Sequence, residues 1–155
     1  DLSETELWGD LPHDDGLFEL SNLEVLDLGQ TGGWVRPHYG SYYYYEYYYY
    51  WDGSFTTLYG EIPEAISELS KLRLLDLSGT SFGLWDQLHT FLERLGQPPL
   101  LEHVLLASTS FRGSIPSSAN LSSLRTLDLG GMRMELSGSL PESIGSWTAL
   151  QLLNL

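Results

Sequence analysis

The sequence predicts an α/β repeat solenoid in which a parallel β-sheet lines a concave side, and three observations carry that expectation. Leucine-centred segments recur along the 155 residues: LEVLDLGQT from Leu23, LRLLDLSGT from Leu72, LEHVLLAST from Leu101, LRTLDLGGM from Leu124 and the truncated LQLLNL from Leu150. A second signature accompanies most of them, as LWGDLP at 7–12, LYGEIP at 58–63, FRGSIP at 111–116 and LSGSLP at 136–141. Within LxxLxL the leucines alternate with polar residues at the strand period of two, so one face of each short strand is buried. A unit this short cannot bury its own leucines, and stacking neighbours creates one continuous core.

The elements follow in chain order. An incomplete unit, DLSETELWGDLP, opens the chain. In LxGxIP the glycine permits a tight turn, and the proline, lacking an amide hydrogen, suits an irregular outer wall. The repeat from Leu72 departs from the rest: its span to Leu101 is 29 residues and it lacks LxGxIP. There Leu84, Leu88, Phe91, Leu92 and Leu95 share one helical face, Gly96 is a natural stop, and Pro98 and Pro99 block continuation. The expectation is an α-helix on the convex side over about residues 84–95.

Together the two signatures resemble the plant-type leucine-rich repeat, LxxLxxLxLxxNxLxGxIPxxLxx, over everything except one insert and the variant repeat. The resemblance implies a leucine-rich-repeat solenoid with a concave parallel sheet and an irregular or 3-10 convex side. It also implies one array over residues 1–155, of about six repeats with the first and last incomplete. Where the family has a buried asparagine, this chain has Thr5, Thr31, Thr80 and Thr109, with Met132 in the last complete unit. A threonine hydroxyl is expected to bond the neighbouring turn's backbone, with the ladder weakened at Met132.

From Leu28 to Leu58 the chain runs 30 residues, where the opening unit needs only 5 between Leu2 and Leu7, so about 25 residues are inserted within 30–57. The insert contains Trp34, Tyr39, Tyr42, Tyr43, Tyr44, Tyr45, Tyr47, Tyr48, Tyr49, Tyr50 and Trp51. Aromatic residues favour strands and glycines bracket the segment, so a hairpin or loop standing off the sheet edge is expected. Alternate residues point to opposite faces, leaving at least one aromatic face for solvent or a partner. Tyrosine combines contact area, low conformational entropy and a hydroxyl, which suits partner recognition; packing as a lid over the solenoid is the plainer reading.

Composition narrows the function classes. Hydrophobic residues make up 42% and charged residues 18%, so the chain can bury enough apolar surface to fold. Seven bases against 21 acids leave a net charge of -14, a poor match to nucleic acid or anionic lipid. Without cysteine there is no disulfide, thiolate catalysis or cysteine zinc site. No stretch approaches the roughly 20 apolar residues of a membrane helix, and the first residues carry no signal-peptide pattern.

Candidate sites are few. The position between the two strand leucines carries Asp27, Asp76 and Asp128, with Asp1, Leu105 and Asn154 in the other units. Stacking places them in a row at about 4.8 Å spacing. Such a row could recruit a cation or a basic ligand, although LDLS is also simply the repeat's usual wording. His13, Asp14 and Asp15 read as a solvated turn rather than a metal cluster, and His38, His89 and His103 have no nucleophile in a recognisable motif. No catalytic residue, metal or cofactor is therefore expected. Asn120, Leu121 and Ser122 form an N-glycosylation acceptor triplet.

Both ends lack the polar capping units of a free solenoid, which implies either part of a longer array or a subunit stacking on further copies of itself. The preferred expectation is a non-catalytic extracellular or cell-surface recognition or scaffold domain. It would bind protein or peptide through its concave face and tyrosine insert, with no nucleic acid and no membrane within this segment. The alternative is a structural subunit of a self-assembling filament or adhesive fibre.

Overall fold

Every LxxLxL segment from Leu23 onward becomes a strand of three residues in the computed structural model, which describes residues 9–11, 16–17, 19–29, 58–83, 87–96, 98–131 and 136–155. In chain order the elements begin with β1 (Gly9–Asp10), β2 (Val25–Asp27), β3 (Leu58–Gly60), a 3-10 helix (Glu64–Glu68), β4 (Leu74–Asp76) and β5 (Ser81–Phe82). They continue with α1 (Leu88–Leu95), β6 (His103–Leu105), β7 (Thr126–Asp128), a second 3-10 helix (Glu142–Ser146) and β8 (Leu152–Asn154).

The repeat strands pair in parallel in the order β2-β4-β6-β7-β8, with identical repeat positions opposite one another. Leu26, Leu75, Val104 and Leu127 thereby form one buried column, Leu28, Leu77, Leu106 and Leu129 a second, and Leu72, Leu101 and Leu124 a third. Each fully buried leucine contributes about 1.5–3 kcal/mol. Those leucines are buried only because the next repeat covers them, so the stability belongs to the stack rather than to any single unit. The backbone is stitched across the same joints, with Leu77 N–H donating to Leu105 O at 2.9 Å and Leu106 N–H to Asp128 O at 2.8 Å.

Beyond the inner strands the wall is more regular than an irregular coil. A second parallel sheet, β1-β3-β5, forms there, and isolated bridges join Gln87 to Arg112 and Gly113 to Leu136 further along. β1 and β3 fall within LWGDLP and LYGEIP, and their extended backbones stack as the inner strands do. The repeat that lacks LxGxIP still supplies β5, because Thr80-Ser81-Phe82-Gly83 keeps the start of the pattern: Phe82 is fully buried and Gly83 turns at φ 88. After Pro63 and Pro141 the chain winds into the two 3-10 helices. Proline presets φ for such a turn and needs no amide partner.

The predicted convex helix exists but starts later. Gln87 is extended at φ -83 and ψ 133 and bridges to Arg112, so α1 begins at Leu88; residues 84–86 lie outside the described ones. Its apolar face is Leu88, Phe91, Leu92 and Leu95, all fully buried, and the ring of Phe91 stacks on Phe111 of the next repeat at 4.5 Å. Gly96 does not end the helix through a left-handed turn, for it stays at φ -69 and ψ -6. A side chain there would stand 3.2 Å from the backbone nitrogen of Asn120, so glycine serves as space for the neighbouring repeat. The stop comes from Pro98 and Pro99, which cannot extend the hydrogen-bond series.

The threonine expectation is also corrected. Thr80 and Thr109 are fully buried, but each hydroxyl donates to the carbonyl three residues back, Leu77 O at 2.6 Å and Leu106 O at 2.7 Å. They close their own turn rather than bridging to the next. A hydroxyl is too short for both tasks, and the bridge is made by backbone instead, Gly79 N–H to Ala107 O and Ser108 N–H to Gly130 O. Thr5, Thr31, Met132, and the whole of 30–57 lie outside the described residues.

Candidate functional site

The concave sheet presents three parallel rows of side chains, because in each LxxLxL the leucines turn inward and the remaining positions face out. Glu24, Arg73, Glu102, Arg125 and Gln151 form the first row, just ahead of the strands. Val25, Leu74, His103, Thr126 and Leu152 form the second, and Asp27, Asp76, Leu105, Asp128 and Asn154 the third.

The first row is an alternating charge ladder. Arg73 donates to Glu102 Oε1 through Nε at 3.1 Å and Nη2 at 2.7 Å, and Arg125 Nε lies 3.1 Å from Glu102 Oε2. The hydrogen bond from Arg73 holds the Glu102 carboxyl below its ordinary range, with the charges of Arg73 and Arg125 adding to it. Reciprocally, that hydrogen bond and the Glu102 charge raise Arg73, and Glu24 raises it further. Two arginines thus share one carboxylate at a half-exposed surface, so the ladder presents charge to solvent rather than consuming all of it.

The second row is amphipathic. Val25 and Leu152 are 46% and 48% exposed, while His103 meets Thr126 Oγ1 through Nδ1 at 3.1 Å. Within each row, successive repeats are set at the spacing of adjacent strands, about 4.8 Å, and the amphipathic row lies directly beside the charged one.

The predicted acidic row is present in register, and its main task is local. Asp27, Asp76 and Asp128 are half-buried, and Oδ1 of each accepts the backbone N–H two residues on, from Gly29 at 3.0 Å, Ser78 at 2.8 Å and Gly130 at 2.9 Å. Asn154 joins them by donating Nδ2 to Asp128 Oδ1 at 2.9 Å. Each aspartate caps the turn leaving its strand, the usual reason for an Asp in such a place. Leu105 breaks the row between Asp76 and Asp128.

The other expected residues scatter. Trp34, Trp51 and the tyrosines of the insert, with His13, His38, Asp14 and Asp15, lie outside the described residues. His89 is exposed on α1, and Asn120 is exposed ahead of β7. Among the described residues, no group of three or more metal-ligating side chains gathers, and no helix is long and apolar enough to cross a membrane. What sequence reasoning missed is the charge ladder, although its signal was printed there. The second letters of LEVL, LRLL, LEHV and LRTL alternate in sign, and parallel stacking turns that alternation into adjacent opposite charges.

No protein-family model matches the chain. Among curated proteins it is similar along its whole length to Receptor-like protein 9DC1 of Solanum pimpinellifolium, 36% identical over 158 residues, and to Receptor-like protein Cf-9 of the same species, 37% identical over 158 residues. The chain spans 18% of the length of each. Among solved structures it is similar to the leucine-rich-repeat ectodomain of the plant membrane receptor kinase GASSHO1/SCHENGEN3 from Arabidopsis thaliana, in complex with Casparian Strip Integrity Factor 2. That likeness has a TM-score of 0.65 at 26% identity and covers 96% of this chain and 14% of that one. The plant peptide hormone receptor RGFR1 in complex with RGF2 matches in fold, with a TM-score of 0.68 at 24% identity over 99% of this chain and 20% of that one.

Proposed function

We propose, for a chain that folds as a leucine-rich-repeat solenoid like those of plant receptor ectodomains, a role as a ligand-binding segment of an extracellular receptor-like array. The ligand is a protein or peptide, and the contact is the concave face. One observation carries this: five strands in register display a charged row, an amphipathic row and an acid-capped row side by side. An extended peptide laid across the strands meets a new set of all three at every repeat. Support also comes from the receptor-like curated relatives and from an ectodomain solved with its partner bound. The reading is one of recognition rather than catalysis, in keeping with the receptor-like relatives.

The finer parts of this reading are as follows. Residues 1–155 form a single array, with 30–57 as an insert between the inner and outer strands of one repeat. Thr80 and Thr109 stand where the plant-type pattern has asparagine. Trp34, Tyr39, Tyr42 to 45, Tyr47 to 50 and Trp51 supply a second contact surface by virtue of their chemistry. Asp27, Asp76 and Asp128 add negative charge beside the ladder without forming a metal site. The likenesses to receptor ectodomains lend no support to self-stacking or to a filament.

The test is a displayed-peptide selection against the protein, followed by binding of the selected peptides to variants. Val25→Glu and His103→Glu on the concave face are expected to weaken binding at least about tenfold, equivalent to about 1.4 kcal/mol. Glu93→Ala on α1 is expected to leave it unchanged. A Gly/Ser linker in place of residues 42–50 should weaken a subset of the peptides. If the linker changes none, the insert has no role; if the concave variants change none either, the binding face is misplaced.

A further inference from the structure

We propose that Asn120 is an N-linked glycan site and that the glycan stem covers the neighbouring exposed corner formed by Pro99 and Leu100. The chain has three asparagines, and only Asn120 is followed two residues later by serine or threonine within it, as Asn120-Leu121-Ser122. The structure separates the three as well. The Asn22 amide oxygen accepts Lys71 Nζ at 2.6 Å, and the Asn154 amide donates to Asp128. Asn120 is exposed, as is Ser122, while Leu121 between them is 3% exposed and anchors the triplet in the core. The alternation of out, in, out holds the acceptor amide at the surface on a backbone that cannot drift inward. Leu124 N–H bonded to Leu121 O at 3.0 Å and Ser123 Oγ bonded to Pro99 O at 3.0 Å secure the same stretch from its far side.

The surroundings fit a sugar. A groove of about 330 Å³ beside Asn120 is lined by Asn120, Ser122, Ser123 and the exposed Pro99, over a floor of the buried Leu95, Pro98, Leu101 and Leu121. Leu100, next to Pro99 in the chain, is 51% exposed, among the most exposed large apolar side chains described. The ring of an N-acetylglucosamine has an apolar C–H face that packs on proline and leucine, and a hydroxylated edge that keeps contact with water. Gly96 leaves the Asn120 backbone room against the end of α1, so a residue with a side chain there would press on the acceptor's own peptide unit. Asn120 lies in none of the three concave rows, so a glycan here leaves the proposed binding face open.

The donor class is a lipid-linked diphospho-oligosaccharide. The Asn120 amide nitrogen attacks the anomeric carbon of its first sugar, forming the C–N bond as the C–O bond to diphosphate breaks. One amide proton passes to a base, and the lipid diphosphate departs with the bonding pair. No oxidant or reductant is needed. The proposal rests on the extracellular part of the preceding reading, since the modification takes place on the secretory route.

The experiment uses the protein that carries this chain, expressed in plant cells and recovered separately from the extracellular fluid and from inside the cell. Trypsin releases residues 113–125 as one peptide holding the single acceptor triplet. Release in heavy-oxygen water by a peptide N-glycanase, which hydrolyses the side-chain amide, is expected to leave labelled aspartate at 120, and Ser122→Ala, which preserves Asn120, is expected to abolish the label. Extracellular protein with an unlabelled peptide would overturn the glycan proposal and leave the extracellular reading standing. Protein confined to the cell with an unlabelled peptide overturns both.

Discussion

At the scale of single residues, the position after each inner strand shows how the backbone selects its amino acids. Gly79, Ser108 and Gly131 occupy the same place in successive repeats and all have positive φ, at 72, 59 and 60 respectively. A non-glycine residue in the left-handed region costs about 1–2 kcal/mol, part of which glycine gives back as unfolded-state freedom. Ser108→Gly should therefore stabilise the protein by about 0.5 kcal/mol, read as an upward shift of the urea midpoint at constant slope. A drop in the midpoint would mean that the Ser108 side chain contributes more than its backbone strain takes away. The aspartate in each LDL was legible as a residue type, but its capping role was not, because an Asx turn is seen only once the following amide is placed.

Glu102 offers a second residue-scale test. Its pKa in the folded protein is lowered by Arg73 and Arg125, so the contribution is full above the ordinary glutamate range and is lost as pH falls through the lowered value. An NMR titration of Glu102 is expected to show it below ordinary glutamates, and Arg73→Gln should move it back up. Both groups are substantially solvated, so the expected readout is the titration itself, with little change in unfolding. An unmoved titration in Arg73→Gln would remove Arg73 as the cause.

At the scale of elements, the joint between β5 and the next repeat is among the tightest at the described glycines. A Cβ on Gly83 would lie 2.4 Å from Phe111 Cγ and 2.6 Å from the Phe111 backbone nitrogen, and Gly83 has φ 88. Neither the ring, stacked on Phe91, nor the backbone can give way cheaply. Gly83→Ala is expected to cost about 3 kcal/mol, from overpacking and an unfavourable φ together, measured by denaturant unfolding. A change under about 1 kcal/mol would show that α1 shifts freely against the following repeat. The sequence announced α1 through its apolar face but not its first residue, since Gln87 is drawn into a bridge with Arg112 that only stacking creates.

At the scale of the whole molecule, the period of the leucines was sufficient to predict the inner sheet, its parallel sense and its buried columns. Those follow from local alternation and the need of each short unit for a neighbour, and both are written in the order of residues. The acidic row was legible for the same reason, as a position at a fixed offset within a repeat. Three things waited for the fold: the outer sheet, the inward-closing threonine hydroxyls, and the shared carboxylate of Glu102 between two arginines 52 residues apart at 73 and 125. The outer sheet and the shared carboxylate depend on which atoms of different repeats come within bonding distance, and the threonine bonds on how tightly each turn closes on itself. The repeat pattern decides which residues share a row; the stacking geometry decides which of them touch, because hydrogen bonds and ion pairs act over a few ångströms and sequence spacing does not measure that distance.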